Sequence, residues 1–336
     1  MNRFSYARAT DIRDALAQHR GAPHVAFVAG GTNLVDLIRV NVERPVRLID
    51  ITRLPLKSID ETPGGGLRIG ALVTNSAAAR NRAIAERYPL LSKAILAGAS
   101  AQIRNAATIG GNLLQRTRCP YFYDTEVPCN KREPGSGCPA LEGVNRMHAI
   151  LGASEHCIAV HPSDMCVALA ALDATVHTDG PHGARAIAFP DFHRLPGDTP
   201  HIDTNLEAGE IVTAVELPPR GFAGHHAYLK LRERASYAFA LVSVALAVEL
   251  DGDAIREVRC ALGGVAHKPW RDFDAESMLR GAPLTGDVVR RFAGALVRNA
   301  QGRRGNAFKI ELVTRAVVRA FQIATGRDFR SERDDG

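Results

Sequence analysis

Two glycine pairs interrupt the first third of the chain and constrain its fold more than any other feature. AGGTN at 29 to 33 and TIGGN at 108 to 112 each end an apolar, strand-like run with two glycines beside threonine and asparagine. Glycine lets backbone N–H groups wrap around an anion, and threonine and asparagine add side-chain donors. Two such loops could bind one pyrophosphate, although a tight turn explains each loop taken alone. Neither has the G-x-G-x-x-G spacing of a Rossmann fold, so direct nicotinamide binding by that fold is unsupported.

The rest of the pattern mixes strands and helices. Apolar runs and turn signals predict strands at 25 to 28 and 46 to 51, a hairpin around the glycines at 64 to 66, and three strands at 226 to 233, 239 to 250 and 255 to 262. Helical patterns cover 11 to 19, 76 to 98, the segment that follows Ser163, 271 to 280, 285 to 299 and 306 to 325. The Pro-Gly cluster near 218 to 221 predicts a boundary, which gives domains at 1–222 and 223–328 and a loose tail at 329–336.

Composition excludes several classes of protein. With 46% hydrophobic and 23% charged residues, the chain is typical of an ordinary globular protein. The net charge of +6 is spread along the sequence without a lysine-rich block, so we expect no nucleic-acid partner. No run of about 18 apolar residues and no apolar signal region occurs, which predicts a soluble chain without an export signal of its own.

The segment from about 117 to 160 is polar, lacks a period and contains Cys119, Cys129, Cys138 and Cys157, four of the six cysteines. Disulfides would require an oxidising compartment. Zinc modules usually pair cysteines two to four residues apart, and here nine, eight and eighteen residues intervene. An iron–sulfur cluster accepts varied spacings. On spacing alone, a zinc site and an iron–sulfur cluster are about equally favoured, and disulfides are less favoured than either. Three nearby histidines could replace one cysteine ligand, although surface or structural roles are commoner: His148, His156 and His161.

A set of motifs in fixed order resembles the FAD-binding medium subunit of the xanthine dehydrogenase family of molybdenum hydroxylases. The motifs are AGGTNLVDLIR, ATIGGNLLQ, HPSDMCVALAALDA, GEIVTAVELP and LKLRERASYAFALVSVA, and the resemblance runs from about residue 3 to 325. It implies an α+β fold: a two-lobed FAD-binding domain of the PCMH or vanillyl-alcohol-oxidase-like type, then a C-terminal domain with a three-stranded antiparallel sheet and a helix bundle.

The resemblance also implies positions for the cofactor. Two loops would surround the FAD diphosphate, Asp164 would contact the cofactor, Val212 would lie near the flavin or adenine, and Lys230 would lie close to the flavin ring. A positive charge there would stabilise reduced, anionic flavin. The residues of the two loops are Ala29, Gly30, Gly31, Thr32, Asn33 and Leu34, and Thr108, Gly110, Gly111 and Asn112. Without the resemblance, a helix cap and an exposed strand charge are the simpler readings of Asp164 and Lys230.

Among the subfamilies, the chain is most similar to the flavin subunit of bacterial periplasmic aldehyde oxidoreductases, which has an inserted [4Fe–4S] loop. Cys119, Cys129, Cys138 and Cys157 would then hold a [4Fe–4S] cluster. The resemblance implies a heterotrimer in which a large subunit with the molybdenum cofactor oxidises an aldehyde with water. A small subunit with [2Fe–2S] clusters would pass electrons to FAD on this chain, which would deliver them to an external acceptor. A 4-hydroxybenzoyl-CoA reductase-like or xanthine dehydrogenase-like reaction is the alternative.

Two hypotheses of other kinds remain at this point. A zinc-stabilised scaffold subunit without flavin would use the cysteines but not the glycine loops. A free-standing FAD oxidoreductase would require an acid or base in a substrate pocket, and no such constellation stands out. The resemblance implies export into the periplasm together with a signal-bearing partner, whereas the lack of a signal by itself implies the cytoplasm.

Overall fold

The computed structural model describes residues 2–329, so nearly all of the predicted tail at 329–336 lies outside the described residues. The strands are β1 (Ser5–Arg8), β2 (Val25–Val28), β3 (Arg47–Asp50), β4 (Ile59–Glu61), β5 (Leu67–Gly70), β6 (Thr175–Asp179), β7 (Arg185–Ala188), β8 (Ile211–Leu217), β9 (His225–Leu231), β10 (Val242–Asp251), β11 (Ala254–Gly263) and β12 (Trp270–Arg271). The helices are α1 (Ile12–His19), α2 (Leu34–Arg39), α3 (Asn75–Arg80), α4 (Arg82–Arg87), α5 (Pro89–Ala97), α6 (Ala101–Ala106), α7 (Ile109–Leu113), α8 (Pro120–Tyr123), α9 (Asp164–Ala171), α10 (Phe189–Phe192), α11 (Phe273–Ser277), α12 (Gly286–Leu296) and α13 (Phe308–Thr325).

The first lobe is a small parallel sheet in the order β1-β3-β2. Its core buries Ala15 of α1 and Ile49 of β3, together with Leu54 and Leu72. Parallel strands are joined by helical crossovers, here α1 between β1 and β2 and α2 between β2 and β3. The chain therefore leaves β2 directly into the first glycine loop and then into α2.

The second lobe is a five-stranded antiparallel sheet in the order β4-β5-β8-β6-β7. Helices α3, α5, α7 and α9 contribute to the apolar core on one side of it. Helix α9 is buried along its whole length, because it packs between this lobe and the C-terminal sheet. Asp164, at the start of α9, is thereby placed where the two sheets approach each other.

The C-terminal sheet has the antiparallel order β12-β11-β10-β9 and packs against α12 and α13. The predicted α+β architecture is confirmed, with one addition. The three predicted strands are present, and the two-residue strand β12 pairs with the edge of β11, which makes the sheet four-stranded. So short an edge strand has too few residues to produce a period-2 pattern in the sequence. The predicted boundary at 222 falls between β8 and β9 and stays a prediction.

One local prediction is confirmed in more detail than the sequence indicated, and another was wrong. The helical stretch at 76 to 98 is three helices, because Asn81 leaves the helical region with ψ 130°, caps α4 through Ile84 N–H, and is followed by Pro89 at the start of α5. The second glycine pair does not end a strand. It lies inside the short helix α7, and the only strand-like feature before it is a single bridge between Thr74 and Thr108.

The cysteine segment at 117 to 160 contains little regular structure beyond α8 and a 3₁₀ turn at Pro139–Leu141. It is nevertheless anchored to the C-terminal domain, since the N–H groups of Ile150 and Leu151 both donate to Val265 O, at 2.9 and 3.0 Å. Both side chains are buried in the C-terminal core. In the described part of the chain, every helix is too short or too polar to cross a membrane.

Candidate functional site

The first glycine loop is shaped by close backbone packing. A Cβ atom on Gly30 would lie 1.9 Å from Ala106 O, so only glycine fits between this loop and the end of α6. Gly31 has φ 71°, in the left-handed region that favours glycine. Among the described residues, the backbone N–H groups of Gly31, Thr32 and Asn33 have no recorded acceptor. The loop thus presents a row of unpaired donors, which is the arrangement that binds phosphate oxygens.

Asn33 supplies a further donor with a defined orientation. Its Oδ1 accepts a hydrogen bond from Arg116 N–H at 2.8 Å, which leaves the Nδ2 amide group as the free end. This Nδ2 is buried and has no partner among residues 2–329. A buried amide without a partner costs stability unless a ligand accepts from it.

The second loop is held from both sides. Thr108 caps α7 by accepting from Gly111 N–H at 3.2 Å, and Gly110 lies so close to Ala71 that a Cβ would be 3.1 Å from the alanine methyl carbon. Asn112 Oδ1 accepts from Ser163 Oγ at 2.7 Å, which ties the loop to the start of α9. These contacts hold the N-terminal end of α7 toward the same space as the first loop.

Two cavities meet between the loops. One has a volume of about 310 Å³ and extends from the first loop along β2 and β8, where it reaches Val212. The other, of about 500 Å³, extends to Asp164 and Lys230. Thr32, Asn33 and Gly111 line both, so the unpaired donors lie at the junction. An elongated molecule with a central diphosphate and a ring system at each end fits this shape, and the residues present therefore fit FAD.

Lys230 and Asp164 form a buried ion pair at the wall of the larger cavity. The Nζ and Oδ2 atoms are 2.8 Å apart, with side-chain exposures of 5% and 8%. Asp164 is not the helix cap, because Ser163 fills that position, and Lys230 is not an exposed charge. Tyr228 donates to Asp164 Oδ1 at 2.6 Å, and burial together with the carboxylate raises the pKa of Tyr228 well above its usual value. Burial of the pair excludes water and keeps the lysine charge close to the cavity.

Sequence reasoning missed several residues at this cavity. Tyr228 precedes Lys230 by two positions on β9, so the period of a strand places both side chains on one face. Arg118 lies with its guanidinium carbon 5.1 Å from the centre of the Phe239 ring at the same cavity. The spacing of Tyr228 and Lys230 was a usable signal, whereas nothing local connects Arg118 with Phe239.

The four cysteines of the segment 117 to 160 line one small cavity. Burial raises the pKa of Cys119 to about 12, that of Cys157 to about 11, and that of Cys138 in the same direction. Backbone N–H groups act against this rise, including that of Ala159, whose nitrogen is 3.4 Å from the Cys157 sulfur. Because burial disfavours the thiolate forms of Cys119, Cys138 and Cys157, a metal centre bound here would have to supply the positive charge that stabilises them.

The sulfur spacing separates the metal alternatives. In the described chain, no three of these sulfurs lie within 4.8 Å of one another. Zinc, with Zn–S bonds of about 2.3 Å in tetrahedral geometry, would hold four sulfurs about 3.8 Å apart. A cluster of four irons and four sulfides requires its cysteine sulfurs to lie farther apart than this. The donor set is all cysteine, and no three of the sulfurs are as close together as one zinc ion requires, so these residues fit an iron–sulfur cluster better than a zinc ion.

The nearby histidines differ in their surroundings. His148 Nε2 lies 3.1 Å from the Cys119 sulfur, and both His148 and His156 line the cysteine cavity. His161 instead lies beside His193 and Cys166, with the three possible ligand atoms within 4.8 Å of one another. Ser163 N–H donates to His161 Nδ1, so the proton of a neutral His161 is on Nε2 and that nitrogen cannot bind a metal.

Comparison with known proteins agrees with the geometry. The model of the FAD binding domain in molybdopterin dehydrogenase matches residues 2–220, and the model of the CO dehydrogenase flavoprotein C-terminal domain matches 226–324. The chain belongs to the FAD-binding subunits of the molybdenum hydroxylase family. It is 51% identical to the aldehyde oxidoreductase FAD-binding subunit PaoB of Escherichia coli K12, over 95% of this chain and 97% of that protein.

Other members of the family are more distant in sequence. The glyceraldehyde dehydrogenase medium chain of Sulfolobus acidocaldarius is 28% identical over 95% of this chain and 97% of that protein. A solved carbon monoxide dehydrogenase from Hydrogenophaga pseudoflava matches with a TM-score of 0.76 and 25% identity, over 97% of this chain and 98% of that chain. The family resemblance inferred from the motifs is thus confirmed, and with it the binding of FAD. The individual FAD contacts and the four cysteine ligands stay predictions.

Proposed function

We propose that this chain is the FAD- and [4Fe–4S]-containing electron-transfer subunit of a heteromeric molybdenum aldehyde oxidoreductase. The observation that carries the flavin part is the junction of the two cavities, where Asn33 Nδ2 and the backbone donors of the first loop have no partner among residues 2–329. The 51% identity to an aldehyde oxidoreductase subunit supports the reaction class. The xanthine dehydrogenase FAD-binding subunits are only 25% identical, so an aldehyde is the favoured substrate.

In this proposal the aldehyde and water become a carboxylic acid, two electrons and two protons on a large subunit that holds the molybdenum cofactor. A small subunit with [2Fe–2S] clusters would deliver the electrons to this chain, where a bound FAD would supply the redox chemistry that links those clusters to an external acceptor. The chain itself supplies position and charge. Its loops would hold the diphosphate between Asn33 and Gly111, and Val212 would contact the adenine or the flavin. Asp164 holds the Lys230 ammonium near the flavin ring.

We propose that the remaining redox centre of the chain is a [4Fe–4S] cluster on Cys119, Cys129, Cys138 and Cys157. Three observations support it: no three of the four sulfurs lie within 4.8 Å of one another in the described chain, the thiols are largely buried, and backbone N–H groups lie near them. Hydrogen bonds to sulfur are one of the means by which proteins set cluster potentials. We also propose that the folded heterotrimer is exported to the periplasm by a signal-bearing partner, which fractionation of cells expressing the whole complex would test.

One experiment tests the assignment. The chain is purified with its co-eluting partners, and its iron, zinc and molybdenum contents are measured together with a visible spectrum. Flavin absorption near 450 nm and about four irons beyond those of the partner's [2Fe–2S] clusters are the expected result. A preparation that contains flavin and zinc would indicate a structural zinc site in the cysteine segment and would contradict the proposed cluster. A preparation with neither flavin nor metal would overturn the whole proposal in favour of a scaffold.

A further inference from the structure

A line of buried polar contacts joins the cysteine segment to the first glycine loop. It begins at Lys131, two residues after Cys129. The Lys131 side chain is 1% exposed. Lys131 Nζ donates to Pro200 O at 2.7 Å and also to Asp203 Oδ1. Burying a charged lysine side chain costs free energy unless the charge is paired, so the contact with Asp203 stabilises Lys131 in this buried position.

Asp203 also forms an ion pair with Arg116 through its other carboxylate oxygen. Its Oδ2 lies 2.6 Å from Arg116 Nε, although the N–H does not point along this line, so the contact is ionic without being a hydrogen bond. Burial alone would raise the pKa of Asp203, but the charges of Lys131 and Arg116 lower it far below its usual value. One carboxylate therefore bridges a lysine of the cysteine segment and an arginine that follows the second glycine loop.

Arg116 then reaches the first loop. Its backbone N–H donates to Asn33 Oδ1, the bond that leaves Asn33 Nδ2 as the free donor at the junction of the cavities. The Arg116 side chain is held further by Glu43 at 2.5 Å and by the Phe122 ring, whose centre is 5.0 Å from the guanidinium carbon. Phe122 belongs to the cysteine segment. The cysteine segment therefore contacts Arg116 directly through Phe122 and indirectly through Lys131 and Asp203, while the backbone of Arg116 orients Asn33.

We propose that Arg116 is a positioning residue through which the order of the cysteine segment sets the affinity of the chain for FAD. The physical reason is that Asn33 can rotate its amide or move away unless Arg116 N–H stays in place. Arg116 stays in place because Asp203 and Lys131 hold its side chain. This inference rests on the proposed position of the FAD diphosphate between the two loops.

The test measures the FAD dissociation constant of the purified assembly for the wild type, Lys131→Met, Arg116→Met and the double variant. We expect each single substitution to weaken FAD binding by about two- to thirtyfold. The double variant should be no weaker than the weaker single variant, because both changes break the same line of contacts. Fully multiplicative effects in the double variant, or unchanged affinity in Lys131→Met, would overturn the proposal.

The matched control is Arg271→Met in the C-terminal domain. Arg271 is similarly buried, at 7% exposure, between Asp173 and Glu276, and it lies over the Phe273 ring. It should lower the melting temperature while FAD affinity stays at the wild-type value. If this control weakens FAD binding as much as Lys131→Met does, the effect is general destabilisation and the coupling is excluded. A wild-type assembly that binds no FAD would instead contradict the proposed function itself.

Discussion

The glycine loops and the cysteine segment solve opposite binding problems. At the loops, hydrogen-bond donors without partners in the described chain lie at the junction of two cavities, and glycine allows the loop backbone to pack closely against its neighbours. In the cysteine segment, burial disfavours the charged form of the groups that would bind, as the pKa of about 12 for Cys119 records. The first site is prepared for an anion, whereas the second becomes favourable only when a metal cluster supplies positive charge. We therefore expect substitutions in the loops to weaken binding by changing the shape of the site, and substitutions of the cysteines to weaken it by removing a ligand.

The largest effect is expected from Gly30→Ala. The added Cβ would meet Ala106 O at 1.9 Å, so the loop or the end of α6 must move. Overpacking of this kind costs roughly 1–3 kcal/mol, which we expect to weaken FAD binding on the order of ten- to a hundredfold. The ratio of flavin to protein absorbance measures it. Gly64→Ala is the control, because nothing lies within 4 Å of its Cβ position, and equal flavin loss in both variants would contradict the shape argument.

The next effect concerns ligand number. Cys129→Ser should remove the cluster, so iron falls by about four per chain and the broad iron–sulfur absorption disappears. Cys166→Ala tests a buried cysteine outside the set and should retain full iron. Full iron content and an unchanged cluster spectrum in Cys129→Ser would exclude Cys129 as a ligand.

The effect on FAD content is expected to be smaller in Lys230→Met, whose main consequences are for stability and for the flavin potential. The substitution leaves Asp164 buried without its cation, which costs about 3–5 kcal/mol of unfolding free energy. It also removes the positive charge that favours reduced flavin, so the flavin midpoint potential should fall. Tyr228→Phe is the control, since it removes one hydrogen bond to the same carboxylate, at about 1 kcal/mol, without a change of charge. A potential unchanged in Lys230→Met would remove this lysine from the flavin site.

The smallest effect, counted per pH unit, is a pH dependence of stability. Lys309 of α13 is fully buried, donates to His148 O of the cysteine segment and to Gly264 O, and burial lowers its pKa to about 7. Below pH 7 the lysine is charged in both states and the burial penalty is complete. Between about pH 7 and the ordinary value of 10.5, the unfolded chain binds more protons, so stability rises with pH.

The slope in this range is at most about 1.4 kcal/mol per pH unit. Lys309→Met should flatten it in denaturant titrations from pH 6.5 to 9.5. An identical slope in the variant would show that another group is responsible. Iron content should be unchanged at pH 8, which separates this structural role of the lysine from the role of the cysteine ligands.

Prediction from sequence succeeded where one short stretch contains the whole feature. Both glycine loops were recognised, and the structure brings them together. Helix α9 and strand β9 also lie where the motifs implied, whereas the cofactor contact of Val212 stays a prediction. The helical prediction at 76 to 98 was confirmed without its internal boundaries, because Asn81 and Pro89 divide the stretch into three helices. Prediction failed at the TIGGN loop, because a five-residue helix is too short to show a helical period.

The sequence by itself determined the family, the two loops and the set of four cysteines, because each depends on residue type and on order along the chain. Only the tertiary structure decided what these parts contact. The ion pair of Lys230 with Asp164 and the bridge from Lys131 through Asp203 to Arg116 join residues that are at least 66 positions apart in the sequence. Such contacts form when sheets and helices pack, and no local period or motif records which partners will meet.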